Sequence, residues 1–257
     1  MKVALVTGGS NGIGKEIVLH LLKNDYKVAL TGRKFDNLKI WVDQMYEDNI
    51  LYIEADAMNI SLYPEVIAAV NQKLGPIDLL VNNVGGGKFG NTIDKTTLQE
   101  WNDMITLNTT SVYFMIQAAL QSLIQTKGTI INMSSILGSR PTVGLGPYSA
   151  AKAAVEMITK SIALELAAMQ IRVLCIAPAT IQTNFHTNAG MSEESANIYY
   201  NASKFTHPIG RIGKPTDISE LVLFLADSNK SGFMTGSIIP VDGGRLLTSS
   251  AAQFKID

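Results

Sequence analysis

Short apolar runs alternate with segments of helical periodicity along almost the whole chain. The runs are rich in Val, Ile and Leu and fall at residues 3–6, 28–30, 51–53, 79–81, 129–133, 171–177 and 237–241. Strands that are apolar on both faces are typical of parallel sheets, whose crossover helices cover both sides. The alternation predicts an α/β fold with a doubly wound, mostly parallel sheet of about seven strands and helices on both faces.

Helical periodicity occupies residues 14–22, 38–45, 64–74, 97–123, 149–167 and 217–225. The 257 residues, 46% of them hydrophobic, fit a single domain that spans residues 1–257. Residues 178–215 carry little regular pattern, and we interpret about 184–213 as a substrate lid. The apolar and aromatic residues there suit a substrate cover, although packing against a neighbouring subunit explains them almost as well; they include Phe185, Met191, Tyr199, Tyr200 and Phe205.

Composition excludes several classes of partner. The 21 Lys and Arg residues are balanced by 22 Asp and Glu, so no positive field attracts nucleic acid or anionic lipid. No apolar stretch approaches the roughly 20 residues that cross a bilayer. The single cysteine, Cys175, lies in an apolar run and cannot form an internal disulfide. We therefore expect a cytoplasmic protein that binds neither nucleic acid nor a membrane.

A glycine-rich turn follows the first strand directly and leads into a helical segment. Its sequence from Thr7 to Gly14 is Thr-Gly-Gly-Ser-Asn-Gly-Ile-Gly. Glycines permit close backbone approach, while the free N–H groups and the positive end of the next helix attract phosphate. A tight turn that only packs helix on strand is the competing interpretation, but the position after an N-terminal strand favours phosphate binding.

Tyr148 and Lys152 stand four residues apart on a predicted helix and project from the same face. The ammonium of Lys152 is then placed to lower the pKa of the Tyr148 phenol, which titrates near ~10 when unperturbed. An isolated Tyr-x-x-x-Lys pair arises easily by chance, as a helix start followed by a solvated lysine. Ser135, thirteen residues upstream at the end of a predicted strand, makes a catalytic interpretation stronger.

Together these motifs resemble the short-chain dehydrogenase/reductase family over nearly the whole chain. The shared landmarks are Thr7 to Gly14, Asn82-Asn83-Val84-Gly85, Asn108, Ser135, Tyr148-x-x-x-Lys152 and Pro178 to Thr183. The resemblance implies a Rossmann-type sheet and hydride transfer between a nicotinamide dinucleotide and a carbonyl or alcohol. It implies that Tyr148 donates and accepts the proton, that Ser135 hydrogen-bonds the substrate oxygen, that Lys152 binds the nicotinamide ribose, and that Asn108 holds a water.

The same resemblance implies a set of cofactor-binding residues. They are Gly8, Ser10, Asn11, Gly12, Ile13, Gly14, Arg33, Asp56, Ala57, Asn83, Val84, Gly85, Tyr148, Lys152, Pro178, Ile181 and Thr183. Asp56 would receive the adenine amino group, although a turn-capping role competes with this. Val84, Ala179 and Leu174 depart from the residues usual in the family, which puts the fine positioning of the nicotinamide in doubt.

Cofactor choice depends on the end of the second strand. The position expected to be acidic in NAD-binding relatives is Gly32, and Arg33 follows it. A guanidinium pairs with a 2′-phosphate through a bidentate contact, so we predict NADP rather than NAD. A surface arginine is the alternative, and Asn11 stands where many NADP-preferring relatives carry a basic residue.

The leading functional hypothesis is an NADP(H)-dependent oxidoreductase acting on a ketone or secondary alcohol, with a 3-oxoacyl-thioester reductase as a specific case. A dinucleotide-binding sensor without turnover is an alternative from another class, and a sugar-nucleotide epimerase is a third. Family analogy implies a homo-oligomer, a tetramer or a dimer. His20, His186 and His207 lack the spacing of a zinc site, so no catalytic metal is predicted.

Overall fold

The computed structural model describes residues 1–33, 44–90 and 92–248. Its strands are β1 (Lys2–Val6), β2 (Tyr26–Gly32), β3 (Ile50–Glu54), β4 (Leu79–Asn82), β5 (Thr129–Met133), β6 (Arg172–Pro178) and β7 (Ile238–Val241). They form one sheet in the order β3-β2-β1-β4-β5-β6-β7, and every neighbouring pair is parallel. The predicted doubly wound sheet of about seven strands is confirmed.

Helices connect the strands and cover both faces of the sheet. In the described ranges they are α1 (Gly12–Lys23), α2 (Tyr63–Lys73), α3 (Leu98–Ile105), α4 (Ser111–Thr126), α5 (Gly146–Leu166), α6 (Phe185–Asn188), α7 (Glu193–Ser203), α8 (Pro215–Ala226) and α9 (Ser228–Ser231). The helix predicted at residues 38–45 lies almost entirely outside the described residues, and Gln44–Asn49 forms a 3₁₀ helix.

The strands are apolar on both faces because each face packs against its own layer of helices. In β1, Val3 and Leu5 point into the core shared with α2, α4 and α5. Ala4 and Val6, which alternate with them, point into the opposite core, shared with α1 and α8. Side chains alternate between the two faces of a strand, so a continuous apolar run is what a sheet between two helical layers requires.

The strand order places the functional motifs along one edge of the sheet. The chain runs outward from β1 to β3 and then returns to pair β4 with the other side of β1. The order therefore reverses between β1 and β4, and ligands of open parallel sheets bind at such a point, beyond the carboxyl ends of the strands. The glycine turn, Asn83, Ser135 and Pro178 all lie at that edge.

The prediction of one continuous helix at residues 97–123 is wrong in one respect, because the observed helix is interrupted. A π-helical turn, Thr106–Thr110, separates α3 from α4 and carries Asn108 at its centre. Such turns insert an extra residue into an α-helix and are frequent at functional sites. Helical periodicity does not reveal the insertion, because the hydrophobic pattern continues on both sides of it.

The weakly patterned residues 178–215 also contain more helix than expected. Both α6 and α7 lie within this segment. The Ser192 side chain caps α7 by accepting a hydrogen bond from the backbone N–H of Ser195, and Glu193 and Glu194 occupy the first turn. A serine followed by two acidic residues is typical of a helix start, although the weak periodicity of this segment does not predict α7. In the described part of the chain, no helix is both long and apolar enough to span a bilayer.

A buried chain of polar side chains ties α5 to the sheet. Asn82 Nδ2 donates to Asn132 Oδ1 at 2.9 Å, and Asn132 Nδ2 donates to Thr159 Oγ1 at 3.0 Å. Thr159 lies two turns after Lys152 on the same helix, and Asn132 and Thr159 are fully buried. Because buried polar groups must find partners, this chain fixes how α5 sits on β4 and β5.

We expect Asn132→Leu to lower the free energy of unfolding by roughly 2–4 kcal/mol, because it leaves Asn82 and Thr159 without their buried partner. Thr159→Ser is the matched control, since it keeps the hydroxyl and should cost only about 1 kcal/mol. Urea unfolding followed by circular dichroism measures both. A leucine variant as stable as the unmodified protein would contradict this account of α5.

Candidate active site

The glycine turn is locked to the neighbouring strand by side-chain hydrogen bonds. Asn83 Nδ2 donates to the carbonyl oxygens of Thr7 and Gly8 at 3.0 and 3.1 Å. In return, Thr7 Oγ1 accepts from the backbone N–H groups of Asn83 and Val84 at 3.0 and 3.1 Å. Asn83 thus fixes the glycine turn, which we also call the phosphate turn, beside β4. The turn therefore lies between β1 and β4, where the strand order reverses.

The start of α1 fits the pyrophosphate of a dinucleotide. Gly8 and Gly12 have φ angles of +65° and +54°, which favour glycine. A side chain at Gly14 would collide with the carbonyl oxygen of Gly8, so the helix can approach the turn only with glycine there. The Asn11 side chain makes no capping bond, so the first N–H groups of the helix remain available to an anion.

A cleft of about 720 Å³ connects this turn with the proposed catalytic residues. The predicted residues that line it are Asn11, Gly12, Ile13, Asn83, Gly85, Ser135, Tyr148, Lys152, Pro178, Ile181 and Thr183. They come from the ends of four different strands and from two helices. The fold therefore brings distant motifs together around one cavity, in the place that an extended dinucleotide requires.

The remaining predicted cofactor residues lie outside the cleft lining. Gly8, Ser10 and Gly14 form the turn itself, and Val84 and Ala57 line a much smaller internal pocket. Arg33 is exposed at the end of β2. Asp56 Oδ1 accepts a hydrogen bond from the backbone N–H of Met58 at 2.9 Å, which is the turn-capping role that competes with adenine binding.

Ser135 and Tyr148 face each other, whereas the neighbouring Ser134 faces the helix. Tyr148 enters α5 just after Pro147, is 7% exposed, and lies close enough to the Ser135 side chain for that hydroxyl to lower its pKa. Ser135 begins a short 3₁₀ turn and accepts from the backbone N–H of Leu137 at 3.2 Å. Ser134 Oγ instead donates to the Lys152 carbonyl oxygen at 3.1 Å and bonds Glu156. Of the two serines, only Ser135 is placed to reach a substrate oxygen beside Tyr148.

Lys152 is buried beneath the cleft, with 2% of its surface exposed. Its Nζ donates to the Met133 carbonyl oxygen at 2.9 Å and lies 5.6 Å from the centre of the Tyr148 ring. Gly85 makes room for this arrangement, because a Cβ there would lie 3.1 Å from the same Nζ and 2.9 Å from Asn108 Oδ1. A glycine after β4 is thus required by the lysine rather than by backbone strain.

The pKa of the Tyr148 phenol shifts in the direction opposite to the one that the sequence predicted. Burial raises it to about 12, and the hydrogen bond with Ser135 only partly offsets this. The pKa of Lys152 is lowered to about 8, again chiefly by burial. Burial is the largest influence on both groups because it removes them from water, which disfavours the charged form of each. With this pKa the phenol holds its proton at neutral pH.

The side chain of Asn108 is committed to neighbouring backbone. Its Oδ1 accepts from the Gly86 N–H at 3.1 Å, while Nδ2 donates to the carbonyl oxygens of Gly86 and Met104 at 2.9 and 3.0 Å. The residue is completely buried. Asn108 joins the π-helical turn to the chain segment after β4. Both polar atoms of its side chain are engaged in these hydrogen bonds.

Several residues that line the cleft beyond Tyr148 are not among those that the sequence predicted. The rings of Phe89 and His186 stack with their centres 5.7 Å apart. The centres of the His186 and Tyr199 rings lie 4.6 Å apart. Arg140 and Arg245 line the same part of the cleft. An aromatic or arginine at an irregular position carries no periodic signal, so only the fold reveals these neighbours. Of the predicted lid residues, Phe185, Met191 and Tyr199 line the cleft, whereas Phe205 is exposed.

Comparisons with known proteins agree with this geometry. A family model described as short chain dehydrogenase matches residues 2–194. The chain is 34% identical over 244 residues to a 3-oxoacyl-(acyl-carrier-protein) reductase of Vibrio cholerae, covering 95% of this chain and 96% of that protein. It is also 34% identical over 260 residues to a 7alpha-hydroxysteroid dehydrogenase of Paraclostridium sordellii, covering 98% and 95% respectively. A solved structure, ElxO with NADP bound, has a TM-score of 0.87 at 32% identity, covering 96% of this chain and 99% of that chain.

We expect Lys152→Met to stabilise the protein. Lowering the lysine pKa from 10.5 to about 8 corresponds to on the order of 3 kcal/mol of unfavourable burial at pH 7. The gain should shrink as pH rises from about 8 toward 10.5, because there the unfolded chain holds a proton that the folded chain has released.

Urea unfolding at pH 7 and pH 10 measures this difference. Lys160→Met, at an exposed position on the same helix, is the control and should change stability by less than about 0.5 kcal/mol. A Lys152 variant less stable than the unmodified protein at pH 7 would show that its charge is not buried at a cost.

Proposed function

Because this chain belongs to the short-chain dehydrogenase/reductase family, we propose that it is an NADP(H)-dependent enzyme that reduces a ketone or oxidises the corresponding secondary alcohol. Family membership establishes an oxidoreductase acting on a CH–OH or C=O group. The choice of dinucleotide, the roles of individual residues and the substrate belong to the proposal. One observation carries it: a single cleft joins the phosphate turn to Ser135, Tyr148 and Lys152.

The arrangement supports proton delivery to a carbonyl oxygen. When bound, the nicotinamide supplies the hydride that reduces the carbonyl carbon or accepts it from the alcohol. Ser135 donates a hydrogen bond to the substrate oxygen and steadies the negative charge that develops there. Tyr148 then gives its phenolic proton to the same oxygen. A phenol pKa of about 12 keeps that proton in place at neutral pH, so the group is in the protonation state that carbonyl reduction requires.

Lys152 contributes its charge and a donor for the nicotinamide ribose. Its pKa of about 8 leaves the ammonium protonated over most of the physiological range. A positive charge under the Tyr148 ring stabilises the phenolate left after proton transfer. By family resemblance Asn108 would hold a water that links Lys152 to solvent, and its buried side chain is bonded to Gly86 and Met104.

The dinucleotide would lie along the carboxyl edge of the sheet from β2 to β6. Gly12 and Ile13 at the start of α1 suit the pyrophosphate, and Ile181 and Thr183 suit the carboxamide. Asp56 and Ala57 after β3 remain the proposed adenine contacts, with the second carboxylate oxygen of Asp56 left free by its turn bond. Asn83, Val84 and Gly85 support the adenine ribose and hold the turn.

The preference for NADP is proposed from Arg33. Its exposed guanidinium follows Gly32 at the end of β2, where an adenosine ribose would lie. The relative ElxO binds NADP in its solved structure. The lone thiol Cys175, buried in β6, suits a cytoplasmic location.

A 3-oxoacyl thioester is one specific case within this proposal, by analogy with the Vibrio cholerae reductase, and the proposed reaction on a ketone does not depend on it. A sensor that binds the dinucleotide without turnover is the alternative from another class. The assembled Ser135, Tyr148 and Lys152 favour an enzyme, because a pure sensor has no need of a buried lysine beside a phenol.

We also propose a homotetramer or homodimer. Two long helices expose apolar side chains that a monomer would leave in water: Tyr113 and Phe114 on α4, and Met157 and Leu164 on α5, the last two 63% and 83% exposed. Burial of such neighbouring apolar groups between copies of the chain stabilises an oligomer.

Tyr148→Phe should reduce kcat/KM for ketone reduction by at least about 10³-fold, because the variant keeps the ring but loses the proton donor. NADPH binding, measured by fluorescence titration, should stay within about threefold. Tyr46→Phe, at a half-buried position outside the cleft lining, is the control and should leave turnover unchanged. Unaltered turnover in the Tyr148 variant would exclude the proposed mechanism, and NADPH binding without turnover in the unmodified protein across a broad ketone panel would favour the sensor.

Arg33→Ser should lower the ratio of kcat/KM for NADPH to that for NADH by about tenfold or more, since it removes the charge that pairs with the 2′-phosphate. Arg33→Lys keeps the charge but loses the bidentate geometry, and should fall between the two. Steady-state rates at 340 nm measure the ratio. An unmodified protein that prefers NADH would contradict the assignment of NADP.

A further inference from the structure

The substrate end of the cleft carries positive charge that the proposed chemistry does not use. Arg140, Lys152 and Arg245 line the cleft, whereas no Asp or Glu is among its lining residues in the described ranges. The protein as a whole has a formal net charge of −1, so the excess is local. Lys152 is used in the proposed proton transfer, where its charge stabilises the Tyr148 phenolate. The two arginines have no part in that step, because neither contacts the Tyr148 phenol.

The Arg140 side chain is bonded to the main chain at Arg245, so two positively charged side chains come from neighbouring segments. Arg140 Nη1 donates to the carbonyl oxygens of Arg245 and Thr248 at 2.8 and 2.6 Å. Arg245 Nη1 donates to Thr248 Oγ1 at 3.1 Å. Burial and the neighbouring Arg140 charge both lower the pKa of Arg245. Two like charges that act on each other at one cleft wall are unfavourable by themselves, and an anion bound beside both would relieve their repulsion.

Arg140 and Arg245 also have N–H groups that make no hydrogen bond to the residues that the structure describes. Among the residues that the structure describes, no carboxylate lies within ion-pair distance of either guanidinium. Nε and Nη2 of both side chains donate to none of these residues. An arginine carries five N–H donors in a planar fork that matches a carboxylate. Two such forks at one cleft wall are suited to a planar anion.

The position of the pair separates it from the phosphate turn. Arg140 follows the turn that Ser135 begins, and its backbone N–H donates to the Ile136 carbonyl at 2.9 Å. Arg245 follows β7, the edge strand beside β6. The glycine turn follows β1, on the other side of β4 and β5. The arginines therefore lie on the substrate side of Tyr148, away from the pyrophosphate end.

The wall that accompanies them is apolar and aromatic. Phe185 packs 5.9 Å from the Tyr148 ring, and His186 lies between Phe89 and Tyr199. Burial lowers the pKa of His186, whose Nδ1 hydrogen-bonds with Tyr200 Oη at 2.9 Å, so this ring acts as a neutral aromatic surface. A substrate body bound there meets flat rings rather than charge.

We propose that the substrate carries a carboxylate, remote from the carbonyl that is reduced, and that Arg140 and Arg245 bind it while the aromatic wall receives the body between the two groups. This rests on the proposed function, since it names the substrate class of the same cleft. The arginines are specificity residues: they select the anionic substrate and leave the proton transfer at Tyr148 unchanged.

Matched ketones with and without the charge test the proposal. Each of 4-acetylbenzoate and 5-oxohexanoate is compared with its uncharged amide, with NADPH as reductant. In the unmodified protein we expect kcat/KM to favour at least one acid over its amide by about tenfold or more, and the preference to fall with added KCl.

Charge removal should erase that preference. In the double variant Arg140→Gln/Arg245→Gln, the acid-to-amide ratio should approach one through a higher KM for the acid, with amide turnover within about threefold. Arg140→Lys should retain part of the preference. Arg211→Gln, which breaks a surface pair with Asp217, is the control and should leave the ratio unchanged. Equal use of acid and amide by the unmodified protein would overturn the carboxylate site while the oxidoreductase proposal stands.

A binding measurement separates failure of this site from failure of turnover. With NADP⁺ present, 4-acetylbenzoate should raise the Tm of the unmodified protein more than 4-acetylbenzamide does, and the difference should vanish in the double variant. If no ketone is reduced but this charge-dependent shift is present, the carboxylate site is supported and the proposed activity on ketones is not. If acid and amide give the same shift, and no acid is preferred in turnover, the carboxylate site is excluded.

Discussion

The burial of one ammonium group organises this active site. Lys152 reaches its position because Met133 offers a carbonyl oxygen at the end of β5 and Gly85 leaves space beside it. Burial lowers its pKa, and the same desolvation keeps the Tyr148 phenol protonated. The buried charge lies beside the Tyr148 phenol, where the proposed proton transfer would use it, and perturbed groups of this kind are typical of catalytic sites.

Hydrogen bonds between strand ends convert this local arrangement into a rigid site. Asn83 fastens the phosphate turn to the end of β4, and Asn108 fastens the π-helical turn to the segment that follows. The buried Asn82, Asn132 and Thr159 hold α5 on the sheet. Each link joins residues far apart in sequence, so the geometry of proton transfer depends on the packing of the whole sheet rather than on any one motif.

The part of the cleft proposed to bind the substrate is built from segments other than those that carry the glycine motif and the Tyr-Lys pair. Its residues come from α6, α7, the turn after β5 and the chain after β7, none of which the glycine motif or the Tyr-Lys pair constrains. One fold serves relatives named as a 3-oxoacyl-(acyl-carrier-protein) reductase and a 7alpha-hydroxysteroid dehydrogenase, so function depends on the side chains that each carries around its site. In this chain the wall combines aromatic rings with two arginines.

The sequence alone determined the order of strands and helices, the parallel sheet and the identity of the motifs, because strand periodicity, glycine turns and residue spacing are local properties. It could not determine the π-helical interruption at Asn108, since the apolar pattern continues through it. Nor could it give the direction of the Tyr148 pKa shift, which depends on how much water the folded chain excludes. The meeting of Arg140 with Arg245, 105 residues apart, was decided by tertiary structure, because only the packing of the turn after β5 against the segment after β7 makes them neighbours.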